Sequence, residues 1–266
     1  MRQKSRHERI GPTVGDPMGK GRMGDRDGLY ESLVNEIPDF VFDERVVRVF
    51  PDMVNRSIPG YGLIVPMAGL LARRYAQDGS TLYDLGCSLG AVALAMSHAV
   101  RAAQTRIVAV DNSPAMIARL RESLAAEPGT APIPIEPVCA DVMDAPLVNA
   151  SVVALNFTLQ FVDPSSRLQL LAKIAAGLRP GGVLLLSEKV RFANAQEQTL
   201  HTDWHHDFKR AQGYSELEIA HKRDALENVM KPDTLEQHRA RLLEAGFSDV
   251  YQWFQAFNFA ALLAFR

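Results

Sequence analysis

The strongest constraint on the fold is a short stretch in which an apolar strand runs into a glycine-rich turn. The strand is Thr81 to Leu85, the turn is Gly86-Cys87-Ser88-Leu89-Gly90, and an alanine-rich segment begins at Ala91. A strand–turn–helix unit of this kind brings backbone N–H groups and the positive end of a helix close to a ligand. Its spacing differs from the G-x-G-x-x-G of dinucleotide-binding proteins. The stretch therefore predicts an α/β fold with a site for an anionic or carboxylate-bearing ligand.

Short apolar strands alternate with helical stretches along most of the chain. After the first strand, further strands are predicted at 106–110, 135–139, 151–156 and 183–187. This alternation indicates a mostly parallel sheet covered by helices. From Leu235 onward the chain reads as a helix and two strands, which would form a hairpin at the sheet edge. We therefore expect a seven-stranded, mostly parallel sheet with an antiparallel C-terminal strand and helices on both faces.

Polar residues stand at the ends of three successive predicted strands. Asp111 ends the second strand, Asp141 follows the third and Asn156 ends the fourth. Asp111 comes 21 residues after Gly90, where folds of this kind accept ribose hydroxyls. Asp141 can accept a hydrogen bond from an exocyclic amine, and Val142 can pack on a purine face. A single strand-terminal Asp is more often a cap, but the combination predicts a nucleoside ligand.

Two segments depart from the regular alternation. Around Pro51 and Pro59 the sequence predicts helical pieces broken by turns. Residues 191–232 are helical, charged and rich in His, Tyr and Trp, which predicts an inserted helical lid. Within the insertion, His201 and His205 have the i, i+4 spacing of a metal-binding pair. No third ligand is evident, so no metal is expected.

The composition is that of a globular protein, and the charge divides the chain in two. The 266 residues are 47% hydrophobic with a formal charge of -2. Residues 1–28 hold seven basic and four acidic side chains, a net of +3, so the remainder is -5. We expect residues 1–38 to form a flexible tail and 39–266 to form one domain, because the opening is glycine-rich and lacks apolar periodicity. The acidic body argues against direct nucleic-acid binding.

The apolar pattern and the two cysteines indicate the cellular compartment of the protein. No window approaches the apolar length of a membrane span, and residues 1–28 contain no apolar run typical of a signal peptide. We therefore expect a cytoplasmic protein without membrane contact. Cys87 and Cys139 fall in segments predicted to be interior, which favours reduced thiols. No histidine neighbours Cys87 in sequence, so Cys87 is expected to be a small residue in the turn and not a nucleophile.

The glycine turn and the strand-terminal residues together resemble the Rossmann-like S-adenosylmethionine-dependent methyltransferases. Arg179-Pro180-Gly181-Gly182 and Leu243-Glu244-Ala245-Gly246-Phe247 are also common in that superfamily. The resemblance runs from roughly Leu82 to Arg266. The chain departs from the superfamily pattern at Ser88, where a glycine is usual, and it lacks the Asn-Pro-Pro-Tyr-type motif of amino methyltransferases. Methyl transfer to an exocyclic base nitrogen is therefore not expected.

Several longer stretches resemble one family more specifically, the carboxy-S-adenosyl-L-methionine synthases, from about Phe42 to the C-terminus. These stretches are Phe42-Asp43-Glu44-Arg45, Phe50-Pro51-Asp52-Met53, Pro59-Gly60-Tyr61, Tyr83 to Gly90, Asp111 to Met116, Leu155 to Phe161, His205 to Arg210 and Gly213 to Glu218. The resemblance implies conversion of S-adenosylmethionine and prephenate into carboxy-S-adenosylmethionine and phenylpyruvate. It also implies a homodimer, whose product serves a downstream tRNA carboxymethyltransferase acting on the wobble uridine.

The same resemblance implies the site residues. The nucleoside and methionine site would be lined by Tyr61, Gly86, Cys87, Ser88, Asp111, Asn112, Asp141, Val142 and Asn156. Arg223 would be the catalytic residue, holding the new carboxylate. A guanidinium about 4 Å from the sulfonium would repel it by roughly 4 kcal/mol at an effective dielectric near 20, whereas a carboxylated ligand would pair with it. Arg56 and Arg210 are candidate partners for the carboxylates of prephenate.

Two other functional classes remain open at this point. The first is an S-adenosylmethionine-dependent methyltransferase acting on a small molecule or on tRNA. The second is a non-catalytic, nucleoside-binding subunit. Turnover with prephenate separates all three classes, since they predict a carboxylated product, a methylated product and no product.

Overall fold

The computed structural model describes residues 25–29, 43–129, 131–227 and 229–266. Most of the predicted tail, residues 1–38, lies outside these ranges. The helices are α1 Glu44–Ser57, α2 Tyr61–Tyr75, α3 Ala91–Ala99, α4 Pro114–Ala126, α5 Arg167–Gly177, α6 Ala195–Ala211, α7 Glu216–Glu227 and α8 Leu235–Glu244, with a 3₁₀ turn at Leu159–Phe161. The strands are β1 Thr81–Leu85, β2 Arg106–Asp111, β3 Ile135–Cys139, β4 Ala150–Asn156, β5 Leu178–Lys189, β6 Asp249–Ala256 and β7 Phe259–Phe265.

The seven strands form one sheet in the order β3-β2-β1-β4-β5-β7-β6. Strands β1 to β5 pair in parallel, and β7 runs antiparallel to both β5 and β6. The predicted sheet, with its antiparallel C-terminal strand and edge hairpin, is confirmed. Parallel pairing places the carboxyl ends of β1 to β5 at one edge of the sheet, so the residues that end these strands are neighbours.

Helices cover both faces of the sheet, and the apolar strand residues divide between two cores. Leu85, Leu155 and Leu186 pack on one face, against α5 and α8. Leu82 and Ile107 pack on the other, against α2, α3 and α4. Burial on both faces explains why β1, β2 and β4 read as nearly continuous apolar runs.

The start of α4 shows how local sequence fixes one helix beside the site. Ser113 has extended backbone, and its hydroxyl accepts a hydrogen bond from the N–H of Met116 at 3.3 Å. Pro114 occupies the first helical position, where its missing N–H costs nothing. Ser113 is therefore the N-cap of α4.

Two local expectations are wrong. Helix α1 continues through Pro51, because Val46, Met53 and Val54 bury its apolar face against α4 and the insertion and this packing outweighs the lost hydrogen bond. Cys139 is exposed whereas Cys87 is buried, because Cys139 ends β3, an edge strand.

The predicted insertion consists of α6 and α7, which stand between β5 and α8. Their side chains, described below, form one wall of the site. Among the described residues, no helix combines the length and the apolar character needed to cross a membrane.

Candidate active site

A cavity of about 730 Å³ opens at the carboxyl ends of β1 to β5. This volume lies within the range of small-molecule sites, roughly 300–1,000 Å³. All nine residues predicted to line the nucleoside and methionine site line this cavity: Tyr61, Gly86, Cys87, Ser88, Asp111, Asn112, Asp141, Val142 and Asn156. The structure thus brings these nine together around one space.

The glycine turn between β1 and α3 depends on left-handed backbone. Gly86 and Gly90 have φ of 76° and 80°, and Ser88, which stands where the superfamily usually has glycine, has φ of 47°. The N–H groups of Gly86 and Cys87 both donate to the carbonyl of Val110, at 2.8 and 2.9 Å. A Cβ on Gly86 would overlap the side chain of Thr158. Glycine is therefore required at position 86 by both backbone and space.

Three carboxylates stand on successive strands at this end of the cavity, and each accepts a backbone N–H. Asp111 accepts from Ser88 at 2.8 Å and from Ser113 at 2.9 Å. Asp84 accepts from Ala93 at 2.9 Å, and Asp141 accepts from Met143 at 2.8 Å. The carboxylates thereby hold the turns in shape and keep lone pairs for a ligand.

Burial changes the acidity of the two interior carboxylates and of the thiol between them. Burial raises the pKa of Asp84 to about 7, and Asp111 adds to this rise. The pKa of Asp111 is also raised by burial. Burial and both carboxylates hold the pKa of the Cys87 thiol well above its usual range. A neutral thiol is a poor nucleophile, which agrees with a packing role for Cys87.

The middle of the cavity is apolar apart from one amide. The ring of Phe157 lies 6.4 Å from that of Tyr61 and 5.9 Å from that of Phe259, centroid to centroid. Beside them, Oδ1 of Asn156 is buried and has no hydrogen-bond partner among the described residues. An unpartnered buried acceptor that lines a cavity is suited to a ligand N–H group, such as the ammonium of a methionine moiety.

Basic side chains from the insertion and from β5 line the other end of the cavity. They are Lys189 from β5, His205 and Lys209 from α6, and Lys222 from α7. His205 is 4% exposed, and its pKa is held well below the usual value by burial and by the ammonium groups of Lys189 and Lys209. Its neutral ring therefore donates from Nε2 to the carbonyl of Ser57, at 2.9 Å.

Residues 25–29 lie against this basic end. Asp27 is 2% exposed and forms an ion pair with Lys222 at 2.9 Å. The hydroxyl of Tyr214 also donates to Asp27, and the guanidinium of Arg56 donates to its carbonyl at 3.2 Å. Burial raises the pKa of the Asp27 carboxyl, but the charge of Lys222 and the hydrogen bonds from Tyr214 and Lys222 outweigh it, so that the pKa is lowered.

The three predicted arginines lie outside the set that lines the cavity. Arg223 follows Lys222 on α7, with its side chain 63% exposed and paired with Asp224 at 2.9 Å. Arg210 is exposed and bound to Asp207 and Glu216. Arg56 stacks its guanidinium over the ring of Tyr214 at 4.0 Å. Their proposed contacts with carboxylates stay predictions.

Sequence reasoning assigned no role to Lys189, Lys209 or Lys222. A signal existed for Lys189, because it ends a parallel strand, where ligands of open α/β sheets bind. No local pattern marks Lys209 or Lys222, since only the packing of α6 and α7 against α1 brings them to the cavity. His201, one of the two histidines with the spacing of a metal-binding pair, stacks on Phe192, and the centroids of the two rings are 4.0 Å apart.

The fold is shared with S-adenosylmethionine-dependent methyltransferases. The family model described as "Methyltransferase domain" matches residues 82–182. An O-methyltransferase family 2 protein from Planctomyces limnophilus is 20% identical with a TM-score of 0.57, covering 85% of this chain and 62% of that one. Human N-acetylserotonin methyltransferase is 18% identical with a TM-score of 0.55, covering 84% and 55%. These likenesses show the fold.

More similar relatives narrow the class to one family. A carboxy-S-adenosyl-L-methionine synthase from Trichlorobacter lovleyi is 56% identical over 90% of this chain and 98% of its own length. The synthases of Geobacter metallireducens and Pseudomonas putida are 57% and 56% identical, each over 90% of this chain and 98% and 97% of their own lengths. The chain belongs to the carboxy-S-adenosyl-L-methionine synthase family.

Proposed function

We propose that this protein converts S-adenosylmethionine and prephenate into carboxy-S-adenosylmethionine and phenylpyruvate. The supporting observation is one cavity, which joins the nine residues predicted to bind the nucleoside and methionine at one end to a cluster of cations at the other. S-adenosylmethionine carries a positive sulfonium, whereas prephenate carries two carboxylates. A methyltransferase with a neutral acceptor has no need of ammonium groups in the cavity that holds a sulfonium, because they would repel it.

The proposed reaction balances without a further reactant. The bond between the prephenate ring and its carboxylate breaks, carbon dioxide forms, and the ring becomes aromatic as its hydroxyl leaves as hydroxide. The hydroxide removes a proton from the S-methyl group, giving water and a sulfonium ylide. The ylide carbon then bonds to carbon dioxide, and this bond forms the carboxymethyl group of the product.

The protein's contribution to this sequence is proximity and the exclusion of water. Carbon dioxide must be captured before it diffuses away, and the ylide must not be reprotonated by solvent. The rings of Tyr61, Phe157 and Phe259 supply an apolar middle to the cavity. The wall formed by α6 and α7 closes the same space on another side.

Arg223 remains our proposed partner for the new carboxylate. It adjoins Lys222, which lines the cavity, and its long side chain is mostly exposed and, within the described ranges, is paired with the neighbouring surface carboxylate of Asp224. Arg223→Ala should keep its affinity for S-adenosylmethionine and lose its preference for the carboxylated form, by roughly tenfold or more for a charge-assisted contact. Calorimetry with both ligands measures this preference, and an equal loss for both would remove Arg223 from the role.

The decisive test of the function is turnover of prephenate labelled with ¹³C in its ring carboxylate. Mass spectrometry should find the label in the carboxymethyl group of the product, with phenylpyruvate formed in equal amount. Methylation of an added acceptor without carboxylated product would instead establish a methyltransferase. Binding of S-adenosylmethionine with neither product would indicate a non-catalytic subunit.

The proposal extends to the surroundings of the enzyme. We place it in the cytoplasm, which suits the two free cysteines, with its product passed to a tRNA carboxymethyltransferase that modifies the wobble uridine. The acidic body favours no direct contact with tRNA, and gel-shift titration should show none.

We propose a homodimer, since Leu63, Met67 and Leu70 form an exposed apolar stripe on α2. Sedimentation should give twice the 29.4 kDa chain mass.

A further inference from the structure

The carboxyl edge of the sheet changes its charge from strand to strand. Asp141, Asp111 and Asp84 stand at β3, β2 and β1, and Lys189 stands at the end of β5. Neighbouring strands lie about 4.8 Å apart, so β5 is roughly 10 Å from β1 and roughly 19 Å from β3. The basic end is therefore a separate subsite, beyond the glycine turn and its carboxylates.

The three lysines of this subsite differ in their partners. Lys222 is neutralised by Asp27 at 2.9 Å and also donates to the hydroxyl of Ser57 at 3.0 Å. By contrast, no described residue forms a hydrogen bond or an ion pair with Nζ of Lys189 or Lys209. Lys209 is only 7% exposed. Two cations thus line the cavity without a partner from the described part of the chain.

Burying an unpaired ammonium group is unfavourable, and the acidity of both groups reflects this. Burial lowers the pKa of Lys189 to about 8. Burial, Lys222 and Lys189 together lower the pKa of Lys209 to about 7. A well-packed apolar side chain would make the same positions more stable. Buried ammonium groups that lower stability in this way are expected where they contact a ligand.

We propose that Lys189 and Lys209 bind the pyruvoyl carboxylate of prephenate, an inference that rests on the proposed function. Prephenate has two carboxylates, and they differ in the reaction. The ring carboxylate loses its charge as carbon dioxide forms, so a lysine bound there would stabilise the starting state more than the transition state. The pyruvoyl carboxylate keeps its charge throughout. Lysines bound to it hold the substrate while the ring carboxylate faces the S-methyl group.

The first test replaces each lysine by methionine, which has a similar length and no charge. Lys189→Met and Lys209→Met should each raise the KM for prephenate roughly 10- to 100-fold, as expected for a charge-assisted contact, while the dissociation constant for S-adenosylmethionine changes less than about twofold. The matched control is Arg106→Met, which removes an exposed cation at the amino end of β2, away from the residues that line the cavity, and should leave both constants unchanged. Unchanged KM for prephenate in both variants would overturn the assignment.

The product phenylpyruvate separates the two carboxylates, because it retains the pyruvoyl group and lacks the ring carboxylate. Calorimetry should show phenylpyruvate binding weakened in Lys189→Met and Lys209→Met by about the same factor as the KM for prephenate. Phenylpyruvate binding that stays intact while prephenate binding weakens would place the lysines at the ring carboxylate instead. A fall in kcat with unchanged KM would also count against the proposal, because it indicates a proton-transfer role.

Resistance to urea provides a third test, because replacing a ligand-binding lysine and replacing a purely structural lysine should change it in opposite directions. Without prephenate, Lys209→Met should shift the urea midpoint upward, because the change removes a buried charge that none of the described residues pairs with. A downward shift would mark Lys209 as structural. The wild-type protein separates this inference from the proposed function: absence of prephenate turnover defeats the function, whereas turnover with unaltered lysine variants defeats only the subsite.

Discussion

The two ends of the cavity are built in different ways. At the acidic end, Asp84, Asp111 and Asp141 each accept a backbone N–H from a residue within 23 positions along the chain. At the basic end, Lys189 and Lys209 have no partner among the described residues, and Lys222 pairs with Asp27, 195 positions away. The first end is held in shape by its own turns, and the second depends on distant packing and on what binds there.

This difference indicates a division of labour within one site. A preorganised end can bind S-adenosylmethionine without rearrangement, since its donors and acceptors are already fixed. The basic end holds a net positive charge that only an anion can balance. The order of charges across the sheet therefore allows one cavity to bind a cationic and an anionic substrate side by side.

The largest expected effect comes from breaking the acidic end at its turn. Gly86→Ala would force a side chain into Thr158 at a φ of 76°, at a cost of roughly 2–4 kcal/mol in the free energy of unfolding. We expect S-adenosylmethionine binding to fall at least about 100-fold, by calorimetry, because the turn must move. The matched control is Gly79→Ala, where φ is 67° and no atom lies within 4 Å of the new Cβ. Retained affinity in Gly86→Ala would show that the turn is not the binding element.

A smaller effect is expected when the charge at the acidic end is removed and the shape is kept. The side chain of asparagine has one oxygen where aspartate has two. In Asp111→Asn, either the N–H of Ser88 or that of Ser113 therefore loses its acceptor. We expect affinity for S-adenosylmethionine to fall roughly 10- to 100-fold, with the affinity for phenylpyruvate unchanged. Asp78→Asn is the control, because Asp78 is exposed, accepts the N–H of Ala103 at 2.7 Å and lies off the cavity. Equal weakening of both ligands would show that the two ends are coupled.

The smallest expected effect is a difference in pH dependence. Lys209 faces Lys189, His205, Lys222 and Asp27, and its pKa is about 7. Because the carboxylate binds the protonated amines of Lys209 and Lys189, whose pKa values are about 7 and about 8, kcat/KM for prephenate should fall about tenfold from pH 7 to 8. Affinity for S-adenosylmethionine should rise over the same range, because Asp84, with a pKa of about 7, becomes an anion.

Lys209→Met provides the control for the pH experiment. In that variant the fall in kcat/KM for prephenate should begin near pH 8, where Lys189 titrates. If kcat/KM for prephenate and the affinity for S-adenosylmethionine changed in the same direction with pH, the result would contradict the assignment of opposite charges to the two ends of the cavity.

Much of the acidic end could be predicted from sequence because its parts are local. The strands Thr81–Leu85 and Ile135–Cys139 have the predicted bounds, and the nine predicted nucleoside-site residues line one cavity. For the glycine turn, Asp111, Asp141 and Asn156, the reason is that strand ends of a parallel sheet share an edge. Asp111 is an example, because it ends the strand next to the glycine turn and therefore lies in the site. Tyr61, which begins α2, is implied by the family resemblance.

The failures share a different cause, which is tertiary packing. The helix through Pro51 holds because its apolar face is buried, and Cys139 is exposed because its strand lies at the sheet edge. Neither property can be read from the neighbouring residues. The exposure of Arg223 and the burial of Lys209 have the same origin, since both depend on how α6 and α7 pack against α1 and against each other.

The sequence by itself determined the α/β fold, the glycine turn and the carboxylates beside it, because each follows from a periodicity or a spacing within a few dozen residues. The tertiary structure alone decided which cations reach the cavity and which of them stay unpaired. Charge pairing depends on distances across the fold: Lys222 is neutralised because Asp27 packs beside it, whereas Lys189 and Lys209 have no such partner in the part of the chain that the structure describes.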